Sequence, residues 1–199
     1  NWKDTKSLFS LQKASSEFDS DLVISYSDVV FQMSTLQDLI VAESKITICY
    51  DSNWKDRYSG RINVALKDAE KVVLEGNDKI KIKKDVEDND VVIGEFIGLF
   101  KISRLLSNNL KSQIESILFK DKGSSVCDLL NELSEIHPIS LIDVEGDWAE
   151  LDAPADLDQF RFGTKADTLK KLENSLLQSK ILKQFKFTVR EYETNQSQI

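Results

Sequence analysis

One histidine, two cysteines and no CxxC pair leave this chain of 199 residues without the makings of a zinc centre or a disulfide framework. Cys49 stands within Ile46-Thr47-Ile48-Cys49-Tyr50 and Cys127 before Asp128-Leu129-Leu130, so both thiols are expected as small core residues in a reducing compartment. His137, followed by Pro138, is expected in a turn rather than as a base. No apolar run approaches the length of a membrane span, and the start Asn1-Trp2-Lys3-Asp4 lacks the features of a signal peptide, so the expected location is the cytoplasm. Basic charge is also short: 26 lysines and arginines face 34 acidic residues, a net charge of −8. With the acids dispersed and no basic stripe, a general nucleic-acid binder is excluded, while a small anionic substrate held by a few local cations and a metal is not. The length suits one well-cored domain, or one with an extension.

What is present is an alternation of strand and helix patterns. Leu8, Leu11, Ala14 and Phe18 recur at helical spacing, and the first strand follows at once, along the run from Leu22 that Asp28 closes. Helix is expected over 33–42, strand over 46–50 ending at Asp51, and a hairpin of 71–74 with 79–82 around Glu75-Gly76-Asn77-Asp78. Residues 91–102 form a long apolar run broken by Gly94 and Gly98, where a ligand or another backbone can come close. Helices over 103–119 and 125–136, strands over 139–144 and 148–151, and helices over 154–160 and 164–185 complete the pattern. The last carries an apolar stripe of Leu169, Leu172, Leu176 and Leu177 and precedes a polar tail. The expected fold class is α/β: a mixed, mainly parallel open sheet flanked by helices.

Two acids stand at carboxyl ends of apolar runs: Asp28 after Leu22-Val23-Ile24-Ser25-Tyr26-Ser27, and Asp152 after Trp148-Ala149-Glu150-Leu151. In an open α/β sheet ligands bind outside those ends, so such carboxylates can meet around a hard cation. Aspartate there is equally a turn former or a helix cap, and Asp152-Ala153-Pro154 fits a cap followed by proline. After the second long strand, Asp51, Trp54, Arg57 and Arg61 form an aromatic and charged cluster; an indole face attracts a quaternary ammonium and arginine grips phosphate, though a loop tryptophan can simply pack over the domain edge.

Three words, in order, resemble the nucleotidyltransferases of the sugar-nucleotide pyrophosphorylase superfamily, on the side of the cytidylyltransferases that act on phosphocholine or aminoalkylphosphonates. They are Ser10-Leu11 with Ser25-Tyr26-Ser27-Asp28-Val29-Val30-Phe31, then Gly94-Glu95-Phe96-Ile97-Gly98-Leu99, then Gly146-Asp147-Trp148-Ala149-Glu150-Leu151-Asp152-Ala153-Pro154-Ala155-Asp156-Leu157. The resemblance implies a nucleotide-diphospho-sugar transferase-like variant of the Rossmann fold over 1–160, with 161–199 a helix and linker towards a fused downstream module. It implies Mg²⁺ held by Asp28 and Asp152, an acceptor phosphate met by Lys83 or Lys84, and an acceptor pocket lined from the strand of Glu95. A solvent-facing role for Glu95 and a solvated lysine pair are the alternatives. Tyr26 and Glu150, inside the matching words, are assigned with Asp51, Trp54, Arg57 and Arg61 to the substrates, whereas Trp148 is expected in the core.

The same resemblance exposes an absence, since family members open on a strand and a glycine-rich loop with arginine and lysine that cradles the triphosphate. No such loop occurs in this chain, which is therefore expected to be the metal- and acceptor-binding part of a longer enzyme that lacks its N-terminal strand and loop. The implied reaction is transfer of CMP, or another nucleoside monophosphate, from the triphosphate to a phosphorylated or phosphonate small molecule with release of pyrophosphate. The chain alone is expected to be inactive. The alternative is a non-catalytic regulatory or assembly domain that keeps the fold.

Overall fold

A computed structural model describes residues 5–58, 66–76, 79–151 and 156. The chain divides into two compact units, Asn1–Ala149 and Glu150–Ile199, of which the second is described only at Glu150, Leu151 and Asp156. The expected helices over 154–160 and 164–185 fall outside the described residues.

The spine of the first unit is the strand over Val91–Ile102, labelled β6 in chain order. Its side chains alternate between two apolar environments, which is why its sequence is apolar almost throughout. Phe96 and Phe100 enter the larger core, with Leu8 and Leu11 of α1 (Ser7–Lys13), Leu110 and Ile114 of α4 (Arg104–Lys120) and Leu129 and Leu130 of α5 (Val126–Ser134). Ile97 and Leu99 enter a smaller one with Leu39 of α2 (Met33–Val41), Cys49, Val144 and Trp148. Both cysteines are buried, as their apolar contexts imply.

Along one edge β6 pairs with β3 (Ile46–Asp51), and β3 pairs in turn with β7 (Ser140–Asp143). Its first half also pairs with β4 (Lys71–Glu75), which forms the expected hairpin with β5 (Lys79–Lys83), and its last residues pair with β1 (Leu22–Ser25). A separate two-stranded sheet joins β2 (Val29–Phe31) to β8 (Trp148–Glu150). The sheet is mixed, open and flanked by helices, as expected. Its balance of directions corrects the expectation of mainly parallel pairing: among the described ladders of the large sheet only β3–β7 is parallel. The reason is the position of β6. The strands β1, β3 and β7 do run the same way, but β6 runs against them and lies between β1 and β3.

Polar groups inside this framework are matched to backbone. The Asn131 amide donates to the Ile82 carbonyl at 2.9 Å and accepts from the Ile82 N–H at 2.8 Å, so α5 closes the edge of β5 that would otherwise be open. Buried Lys101 donates to the carbonyls of Ile40 and Ala42 at the end of α2, which a cation satisfies well. No helix of the described residues is long and apolar enough to cross a membrane.

Candidate functional site

Because β1, β3 and β7 share a direction, their carboxyl ends lie at one end of the sheet. Asp28 lies in the turn between β1 and β2, Asp51 ends β3, and Asp143 ends β7. The opposed course of β6 brings Glu95 to the same end, opposite Asp51 on one side and Lys71 on the other. Gly94 is needed there, since a Cβ would lie 2.5 Å from the Asp51 carbonyl oxygen.

Several of the expected substrate-side residues are knit into this sheet end. Asp51 is fully buried, and its carboxylate accepts from the Trp148 indole N–H at 2.8 Å and the Asn53 N–H at 2.8 Å. Glu95 is buried and accepts from the Tyr58 hydroxyl at 2.5 Å. Trp54, which opens the short helix α3 (Trp54–Arg57), is only 6% exposed; Tyr58 meets it edge-on at 6.0 Å and the Lys55 ammonium stands 5.7 Å from its ring. The expected indole face for a quaternary ammonium is thus already covered. Trp148 is buried, as expected. Glu150 closes β8 and is half-buried. Arg61, Asp152 and the side chain of Arg57 lie outside the described residues.

An open space next to several of the expected residues lies in a wedge along the other edge of β6. The β4 ladder leaves that edge at Glu95 and the β1 ladder starts at Leu99, and among the described residues two backbone bonds bridge the gap: the Phe96 N–H to the Glu70 carbonyl at 2.7 Å and the Tyr26 N–H to the Gly98 carbonyl at 2.9 Å. A cavity of about 380 Å³ opens beside it, walled by Lys6, Tyr26, Glu70, Lys83, Lys84 and Cys127 among others. The Tyr26 ring lies directly over Gly98, meets Phe96 edge-on at 6.1 Å and donates its hydroxyl to Glu70 at 2.9 Å. Burial, with Cys127 and Glu70 adjacent, holds the Tyr26 phenol far above its usual range, so it stays protonated. Burial and the Glu70 carboxylate push the Cys127 thiol up as well, which removes it as a nucleophile.

The two expected lysines differ in their surroundings. Lys83 is bound to Glu75 at 2.7 Å and to Asp90 at 3.2 Å, and the hydrogen bond to Glu75 raises its pKa further. Lys84 is exposed, no described residue pairs with its ammonium, and its carbonyl accepts from Lys71 at 2.6 Å. Asp28 is half-buried, with no hydrogen bond or ion pair to a described residue. A strand-end carboxylate with open lone pairs fits a hard cation, although the described residues contain no group of three or more metal-ligating side chains. Sequence reasoning missed Lys6, Glu70 and the cavity position of Cys127. Nothing local marks Glu70, whose place depends on the long-range bond to Phe96.

No family model matches the chain. A curated relative, the CTP:phosphoglutamine cytidylyltransferase of Campylobacter jejuni, is 29% identical over 150 residues, which cover 71% of this chain and 59% of that protein. Among solved structures, the inositol-1-phosphate CTP transferase of T. maritima superposes with a TM-score of 0.55 at 18% identity, covering 90% of this chain and 65% of the other. A candidate glucose-1-phosphate thymidylyltransferase of Bacillus anthracis, crystallised with sucrose, gives 0.53 at 12% identity, covering 79% and 60%. The chain thus spans 59% of the curated relative's length and a comparable share of these structures. Its fold is that of the nucleotidyltransferase superfamily, and its sequence resembles the cytidylyltransferases within it.

Proposed function

We propose that this chain carries the metal- and acceptor-binding part of a cytidylyltransferase that uses Mg²⁺, with CTP as donor and a small phosphorylated or phosphonate molecule as acceptor. The observation that carries this reading is the lysine-bearing cavity whose wall residue Tyr26 lies two positions before Asp28. Lys84 binds the acceptor's phosphoryl group, as its exposed ammonium, unpaired among the described residues, allows, while Lys83 stays locked to Glu75 and Asp90. Asp28 holds the metal from the turn after β1, and the resemblance alone adds Asp152 as a second ligand. Bound Mg²⁺ would offset charge on the phosphates and orient them.

In the reaction an acceptor oxygen forms a bond to the α-phosphorus of CTP. The bond from that phosphorus to the bridging oxygen breaks, and its electron pair leaves with pyrophosphate. No residue needs to form a covalent intermediate. Glu95, Asp51 and Tyr58 brace the sheet end from which these groups project. The test is a titration of the chain with ethyl phosphate, followed by amide NMR. Shifts are expected around Tyr26, Glu70 and Lys84, and Lys84→Ala should weaken binding by about fivefold to tenfold, the worth of one charge-assisted contact. No binding, or shifts confined to other surfaces, would contradict the assignment.

A further inference from the structure

The cavity contains an anion as well as cations. Glu70 lines it, and one of its oxygens, Oε2, accepts from the Tyr26 hydroxyl at 2.9 Å. The carboxylate also meets the Cys127 thiol through a side-chain hydrogen bond, and with two oxygens that can each accept more than once it keeps accepting capacity towards the cavity it lines. The spacing of this anion from Lys84 is fixed from beneath. The Lys71 ammonium, in a residue only 6% exposed, donates to the carbonyls of Lys67 at 3.2 Å, Ala69 at 3.0 Å and Lys84 at 2.6 Å. One buried cation therefore clamps the backbone beside Glu70 to that of Lys84. Preorganised opposite charges of this kind suit a ligand with a phosphate at one end and a positive donor at the other.

We propose that Glu70 is the specificity-determining residue of this site and selects acceptors whose end remote from the phosphate is a primary ammonium. The inference rests on the cavity being the acceptor site. A carboxylate rewards N–H donors directly, whereas a trimethylammonium has none to give and needs aromatic faces. Those faces are taken: Tyr26 is seated on Gly98 and Phe96, and Trp54 is covered by Tyr58 and Lys55. The cavity's volume of about 380 Å³ lies within the usual range for small-molecule sites.

Calorimetric titration of the chain with phosphoethanolamine, phosphocholine and ethyl phosphate tests this. Phosphoethanolamine should bind about tenfold more tightly than either of the others, the effect of one charged hydrogen bond. Glu70→Gln should reduce its advantage over ethyl phosphate to about twofold, since the amide keeps the shape but loses the charge. Equal binding of the three ligands by the wild-type chain, or a preference that survives Glu70→Gln, overturns the role of Glu70. The wild-type comparison decides this whether or not the variant folds. Ethyl phosphate binding without any amine preference removes Glu70's role and leaves the proposed site standing. Failure of all three ligands to bind removes the site as well.

Discussion

Gly98→Ala is expected to destabilise the chain by about 3 kcal/mol, combining left-handed backbone strain with overpacking. Gly98 has φ +74°, where an L-residue with a side chain is strained. A Cβ there would lie 2.2 Å from Cδ2 and 2.5 Å from Cγ of Tyr26. The ring has little freedom to withdraw, because its hydroxyl is tied to Glu70 and it also packs edge-on against Phe96. Urea denaturation measures the cost, and a double-mutant cycle apportions it. In a Tyr26→Ala background the clash is gone and the backbone term remains, so the same substitution should cost only about 1 kcal/mol. Equal costs in both backgrounds would show that Tyr26 is not seated on Gly98, and would undo the geometry of the cavity wall.

Asp51→Ala is expected to cost a similar amount, about 3 kcal/mol, because it removes the acceptor of the buried Trp148 indole N–H and of the half-buried Asn53 N–H. Asp51→Asn should cost about half as much, since its carbonyl can still accept one of the two bonds. The pair of variants also separates a bracing role from a substrate-binding one. As a brace, Asp51 lowers the denaturation midpoint when replaced, and ethyl phosphate affinity follows only through the folded fraction. Loss of ligand affinity in a variant of undiminished stability would return Asp51 to the substrate side.

The difference between Asp51 and Asp28 illustrates what the sequence could and could not convey. Both are acids at the carboxyl end of an apolar strand, and by local pattern they are equivalent. Only the tertiary structure distinguishes them, by bringing Trp148 onto Asp51 from 97 positions away while Asp28 gains no described partner. Lys83 and Lys84 are likewise indistinguishable as neighbours in a charged run. Asp90 and Glu75 choose between them, because alternation along β5 sends Lys83 towards those acids.

Where burial dictates periodicity, the sequence was informative. The apolar run of β6, the hairpin around Gly76 and the helical faces of α4 and α5 all lie close to their expected places. The expected helix over 33–42 appears as α2, Met33–Val41. The opening helix, by contrast, stops at Lys13 and gives way to a 3-10 turn over Ser15–Glu17, so Phe18 reaches the core without being part of it. Strand direction was harder to read, because hydrophobic alternation is the same in parallel and antiparallel neighbours once both faces are buried. Hence the position of β6 between β1 and β3, and with it the wedge that opens the cavity, emerged only from the pairing itself.

The central claim is that Asp28 and Lys84 serve a single metal-assisted phosphate site, and the dependence of ligand binding on Mg²⁺ tests it most directly. Ethyl phosphate is titrated into the chain with and without saturating Mg²⁺, in the wild type and in Asp28→Asn. In the wild type Mg²⁺ should tighten binding by about tenfold, because a cation shared between a carboxylate and a phosphoryl oxygen couples the two. In Asp28→Asn that enhancement should vanish. An affinity indifferent to Mg²⁺ in the wild type, or an enhancement that persists in Asp28→Asn, would contradict the claim.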